Sequence, residues 1–97
     1  MVIQSFADPM TRDLWNGLVN ARTRRLPQAL LPIAHRKLDM MNAAADLKDL
    51  RSPPGNRLEE LKGDHRGHHS IRVNEQWRIV FRWTAAGPAD VRILDYH

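Results

Sequence analysis

Apolar and polar positions alternate most strictly between Ser70 and Trp83. Two runs, Ser70–Val73 and Trp77–Trp83, carry the period of two that a strand imposes, and Asn74-Glu75-Gln76 joins them as a three-residue turn. The pattern predicts a β-hairpin. In its second arm Trp77, Ile79, Phe81 and Trp83 share one face, while Arg78, Val80 and Arg82 share the other. The aromatic face belongs to a core, since each large buried ring contributes about 1.5–3 kcal/mol. Arg72 alternates with Ile71 and Val73, which adds it to the arginine face. That second face is expected to stay outside the core.

Upstream the period changes. Val2–Phe6 is short and alternating and reads as a first strand. Asp8-Pro9 marks a helix start, because the carboxylate caps free N–H groups and proline suits the first helical position. Leu14, Trp15 and Leu18 then recur at helical spacing to about Ala21, with Gly17 weakening the helix by about 1 kcal/mol. Pro27 opens a second helical pattern, whose stripe is Leu30, Ile33, Ala34, Lys37, Leu38 and Met41. Pro32 delays its regular part to about Leu31. His35 reads as a surface residue, and Met40 and Met41 as gap-filling core.

The stretch Ala43–Leu50 ends this helix or adds one turn, and Arg51–Asn56, with two prolines and a glycine, is a rigid loop. Arg57–Lys62 is extended, Gly63–Gly67 turns, and Asp90–Asp95 is a last strand after the turn Ala86-Gly87-Pro88. Late strands joined by short turns must be antiparallel. The expected fold is therefore α+β: an N-terminal strand and two helices packed on a mainly antiparallel sheet.

Composition narrows the class. Ninety-seven residues make a single domain, 1–97, with no repeat or low-complexity segment. No apolar run approaches the roughly 20 residues of a membrane span, and no basic-then-apolar leader precedes the first strand. The absence of cysteine excludes disulfides and cysteine-based zinc sites and points to the cytosol. Fifteen basic against eleven acidic side chains give a net charge of +4. Such a balance favours a polyanionic partner, either nucleic acid or an acidic protein.

Candidate chemistry gathers late in the chain. His65, His68 and His69 lie within five residues, but His68 and His69 are adjacent and point to opposite sides of a strand. They read as turn histidines or a base-stacking ring, and no metal or cofactor is called for. The basic set Lys62, Arg72, Arg78 and Arg82, with Arg57 and Arg66 beside it, suits phosphate, because a guanidinium fork binds two oxygens at once. The connector Arg22-Thr23-Arg24-Arg25 reads either as a phosphate or acidic-partner contact or as a solvated loop. Asp95, Tyr96 and His97 close the chain with groups that move protons or orient them.

Taken together, Leu61-Lys62-Gly63-Asp64, Gly67, Ser70-Ile71, Trp77-Arg78-Ile79 with Phe81, and Asp95-Tyr96-His97 resemble the HigB toxins of the RelE/ParE superfamily. Ile3-Gln4-Ser5-Phe6 fits as well, so the resemblance spans essentially the whole chain. It implies a RelE/ParE-like toxin of a type II toxin–antitoxin system that cleaves mRNA in the ribosomal A site without a metal. It further implies neutralisation by a HigA-type helix-turn-helix antitoxin. On this resemblance Lys62 and Arg78 stabilise phosphate charge, and Asp95, Tyr96 and His97 handle proton transfer and orientation. The basic face, with Arg57, Arg66, Arg72 and Arg82, is the expected RNA contact. Glu59 stands where some members carry a histidine; a carboxylate serves as a base but cannot donate as an imidazolium. The alternative within the superfamily is a ParE-like toxin that inhibits DNA gyrase without nuclease chemistry.

Overall fold

The computed structural model describes residues 2–96. Two α-helices, α1 (Pro9–Trp15) and α2 (Leu31–Ala43), precede four strands: β1 (Glu59–Glu60), β2 (His68–Arg72), β3 (Trp77–Thr84) and β4 (Gly87–Asp95). The strands form one sheet in the order β1-β2-β3-β4, with every neighbouring pair antiparallel. This is the expected α+β arrangement, with the hairpin at its centre.

The hairpin register sets the two faces. Ile71, Ile79 and Ile93 lie side by side on β2, β3 and β4, all buried. With Phe81 and Val91 they pack against Leu14 of α1 and Ala34, Leu38 and Met41 of α2. The turn is held by Asn74, whose Oδ1 accepts from the N–H groups of Gln76 at 2.9 Å and Trp77 at 2.7 Å. An asparagine at a turn's first position does this because its short side chain reaches the backbone two residues on.

Four expectations change. The segment 2–6 forms no regular strand: it meets β4 through one parallel bridge, Phe6 to Val91, two backbone hydrogen bonds, from Gln4 N–H to Pro88 O and from Val91 N–H to Ser5 O, and the Ser5 hydroxyl on Asp90. A bulge at Asp90, at φ 51°, interrupts that edge of β4 and prevents a regular ladder. Helix α1 stops at Trp15 instead of about Ala21. Gly17, at φ 77°, takes the left-handed position, and its N–H bonds Leu14 O while the Leu18 N–H bonds Asp13 O. That paired closure is a Schellman motif, so the glycine is a stop signal and not a weak point within the helix. His35 is not a plain surface residue: its ring stacks on Trp15 with centroids 5.5 Å apart.

The fourth concerns the arginine face, which is partly covered. Val80 is only 1% exposed and Ser70 fully buried, although both share that face with Arg72 and Arg78. The chain around Arg57 passes over it, since the Arg57 carbonyl accepts from Arg78. Helix α2 begins at Leu31 as expected, after a 3-10 turn over Gln28–Leu30. A further 3-10 turn, Leu47–Arg51, follows with a capping box formed by Asp46 and Asp49, and it buries Leu50.

Candidate active site

The arginine face is organised around Arg78. Its Nε donates to Ser70 Oγ at 2.8 Å and its Nη2 donates to the Arg57 carbonyl at 2.7 Å. Each anchor has a local cause. Ser70 lies two strand positions from Arg72, so alternation turns its hydroxyl to the same side. Arg57 ends the 3-10 turn Pro54–Asn56 in the left-handed conformation, at φ 46°, which swings its carbonyl toward β3. A guanidinium has five N–H donors. Two are consumed here in holding the group still, and three remain for an anion.

Tyr96 covers this group, with Arg78 Cζ 5.5 Å from the ring centroid. The ring sits there because β3 pairs with β4 through Trp77 and Asp95, and the Tyr96 N–H continues past the strand to bond Gln76 O at 2.6 Å. Gln76 also donates from Nε2 to Asp95 Oδ2 at 2.9 Å. One turn residue therefore fixes both Asp95 and the Tyr96 backbone. A cation over a ring face is attracted by about 0.5–1 kcal/mol at an exposed site, enough to bias the geometry without burying it.

The other expected residues divide. Arg72 lies directly across from Arg78, with Glu75 3.8 Å from its guanidinium. Like charges directly opposite one another destabilise a sheet, so this pair suits an anionic ligand. Glu59 lies across from Ser70 on the same face and is exposed. Lys62 is exposed just past β1, where Leu61 N–H bonds His68 O, and so toward the opposite end of β2 from Arg72. Arg66 is exposed in the turn at that same end.

Arg82 is committed elsewhere. Its Nε lies 2.7 Å from Asp90 Oδ2, and the Arg82 hydrogen bond holds the Asp90 carboxyl below the usual range. It is also four strand residues from Arg78, on the order of 13 Å. His97 lies outside the described residues.

The histidines do not converge. His65 and His68 meet edge to face at 6.2 Å, while His69 turns to the core side and stacks on Phe81. A cleft of about 360 Å³ lined by Asp46, Lys48, Arg51, Glu60 and His69 lies on that core side, away from Arg78. Sequence reasoning missed Ser70, Gln76 and the Arg57 carbonyl. Ser70 alone left a signal, a small hydroxyl spaced two from Arg72 on the arginine face.

A clamped guanidinium under a phenol, with carboxylates at two edges, is suited to holding a phosphate diester and stabilising charge that develops on it. A family model for the RelE-like toxin of type II toxin–antitoxin system HigB matches residues 4–97. The chain belongs to the HigB-like toxin family. It is 47% identical over 76 residues to Toxin HigB-1 of Vibrio cholerae serotype O1, across 78% of this chain and 79% of that one. An uncharacterised protein of Haemophilus influenzae is 42% identical over 59 residues, which is 61% of this chain and 58% of its own. Among solved structures, the YoeB–YefM complex from Staphylococcus aureus matches with a TM-score of 0.54 over 100% of this chain and 99% of that one. At 15% identity it shows the fold alone. As a HigB-like toxin of a type II system, the protein has an antitoxin as its partner. No helix among the described residues is long and apolar enough to cross a membrane.

Proposed function

We propose that this HigB-like toxin is an endoribonuclease that cleaves mRNA on the ribosome in the cytosol, and that a HigA-type helix-turn-helix antitoxin neutralises it. The observation that carries the reading is the immobilised Arg78: a cation bonded at 2.8 Å and 2.7 Å to its own scaffold and capped by Tyr96. In the proposed reaction the RNA 2′-oxygen attacks the adjacent phosphorus, losing its proton to a base. The P–O5′ bond breaks, and an acid returns a proton to the departing 5′-oxygen. Arg78 stabilises the extra negative charge on the phosphoryl oxygens, and Lys62, toward the other end of β2, is assigned to phosphate charge on the resemblance alone. Arg72 and Arg57 hold the flanking backbone, with Arg66 as an outer contact.

Tyr96 and His97 are assigned to proton transfer, and Asp95 to orienting them. Glu59 is the additional carboxylate base. Arg82, engaged by Asp90, has the weakest claim among the RNA contacts. Acid–base assistance supplies roughly 10²–10⁴-fold, so positioning of the message by the ribosome supplies much of the remainder.

The test is to map mRNA 5′ ends after induction, beside a gyrase supercoiling assay. New ends within translated codons, lost in Arg78→Ala, support the reading. Intact messages with inhibited supercoiling would transfer the protein to the gyrase-directed class.

A further inference from the structure

An apolar surface lies where α1 ends. Leu18 is 50% exposed and Val19 69% exposed, well above what large aliphatic residues usually show in a small domain. Beside them opens a groove of about 160 Å³ lined by Leu14, Gly17, Leu18, Val19, Leu31 and His35. Its size suits one large aliphatic or aromatic side chain.

This loop is held rigidly. The Leu18 N–H is fixed on Asp13 O at 2.9 Å. Asn20 Oδ1 accepts from the N–H groups of Arg22 and Thr23, and Asn20 Nδ2 donates to Asp13 at 3.0 Å. Thr23 is buried. A chain this heavily bonded does not expose Val19 through disorder, and a fixed surface loses little entropy when a partner binds.

The connector that follows Val19 is cationic. Arg22 is 3.0 Å from Asp13, whose buried carboxylate is thereby neutralised. Arg24 and Arg25 are exposed and have no ion pair among the described residues. We infer that this patch docks the antitoxin: the groove seats one apolar side chain of an antitoxin segment, and carboxylates flanking that side chain meet Arg24 and Arg25. The inference rests on membership of the toxin family and not on the cleavage chemistry.

Charge complementarity selects this occupant. RNA would use the arginines, but an apolar groove with two exposed aliphatic side chains offers nothing to a phosphate backbone. In a symmetric pair of this chain the arginine connectors of the two copies would face each other, and each already carries a net +4. An acidic peptide with an apolar anchor satisfies both parts of the surface at once.

The experiment titrates the full-length toxin with the antitoxin polypeptide encoded in the same operon, by calorimetry at two salt concentrations. Thermal melts and antitoxin-free mRNA cleavage are followed in parallel. Val19→Asp, at a largely exposed site, is expected to keep its fold and its cleavage while binding antitoxin about 10- to 100-fold more weakly. Arg24→Glu with Arg25→Glu is expected to weaken binding most at low salt and to flatten its salt dependence. Undiminished affinity in both variants overturns the inference. So does intact antitoxin binding with impaired ribosome association, which would make the patch an RNA contact. A concentration-dependent wild-type dimer abolished by Val19→Asp, with antitoxin affinity unchanged, would assign it to self-association instead. If no variant or wild-type protein cleaves RNA, the proposed nuclease function fails while the antitoxin titration still decides this surface.

Discussion

Replacing Ser70 by alanine tests whether Arg78 acts as a clamped cation or merely as a charge. The substitution deletes the oxygen that accepts from Arg78 Nε at 2.8 Å and leaves the Arg57 carbonyl as the sole anchor. A hydrogen bond to a charged group contributes about 1.5–3 kcal/mol, and the partial exposure of Arg78 favours the lower end. At about 4–8 °C per kcal/mol for a domain of this size, the melting temperature should fall by roughly 6–12 °C. The charge stays in place, so ribosome affinity should change little. What is lost is orientation: a guanidinium pivoting on one bond reaches the transition-state oxygens in only a fraction of its conformers.

Single-turnover cleavage at saturating ribosome should therefore slow about tenfold, equivalent to about 1.4 kcal/mol. Arg78→Ala should slow it by roughly 10- to 150-fold on the same scale. Arg78→Lys should resemble the alanine variant, because an ammonium cannot span Ser70 and Arg57 together. Arg57→Gly should weaken ribosome affinity but keep most of the single-turnover rate at saturating ribosome, since glycine accepts φ 46° and retains the carbonyl. Unchanged single-turnover cleavage in Ser70→Ala, with the expected drop in melting temperature, would refute the clamp.

Three further outcomes are expected. Gly17→Ala places a Cβ in a left-handed position at φ 77° and should cost about 1–2 kcal/mol, read by denaturant unfolding; no loss would contradict the Schellman closure. Deleting Tyr96 and His97 should abolish cleavage while lowering the melting temperature by only several degrees, from the lost Tyr96–Gln76 bond and ring contact, and full toxicity at equal protein level would remove these residues from the mechanism. Asp13 is held below its ordinary value by hydrogen bonds from Asn20 and Arg22, and Asp90 by Arg82. Each folded carboxyl is the stronger acid, so the unfolded chain takes up protons first. Stability from both should be complete above about pH 5 and decline as pH falls below it, with Asp13→Asn flattening that acid limb in melts.

The sheet was legible because its signal is local and doubled: the aromatic alternation of Trp77–Trp83 and the arginine alternation of the same run agree. Helix α1 was legible at its start, where Asp8 and Pro9 each have one plausible role, and misleading at its end. There Leu18 extends the apolar spacing beyond Gly17, and hydrophobic period alone cannot distinguish a core position from an exposed one. The site was legible as residue types but not as a geometry. Arg78 and Arg82 look equivalent on a strand diagram. Only the Asp90 bulge, which aims a carboxylate at Arg82, and the left-handed Arg57, which aims a carbonyl at Arg78, give them different surroundings. Both devices are backbone conformations at non-glycine residues, and no periodicity announces them.

The pinning of α1 to β4 has a consequence for the order in which the protein comes into being. Thr11 Oγ1 accepts from the Ile93 N–H across 82 positions, and Ala7 and Ser5 exchange backbone bonds with Val91. A helix of seven residues is far below the length of about 12–15 at which isolated helices persist in water. At synthesis rates of about 5–20 residues per second, α1 would wait roughly 4–16 s for the strand that completes it. Asp95 and Tyr96 emerge with and just after that same strand. The nascent toxin thus has neither a closed core nor an assembled site until β4 is made, and both arrive together. A toxin that acts as proposed would in this way be harmless until β4 is complete.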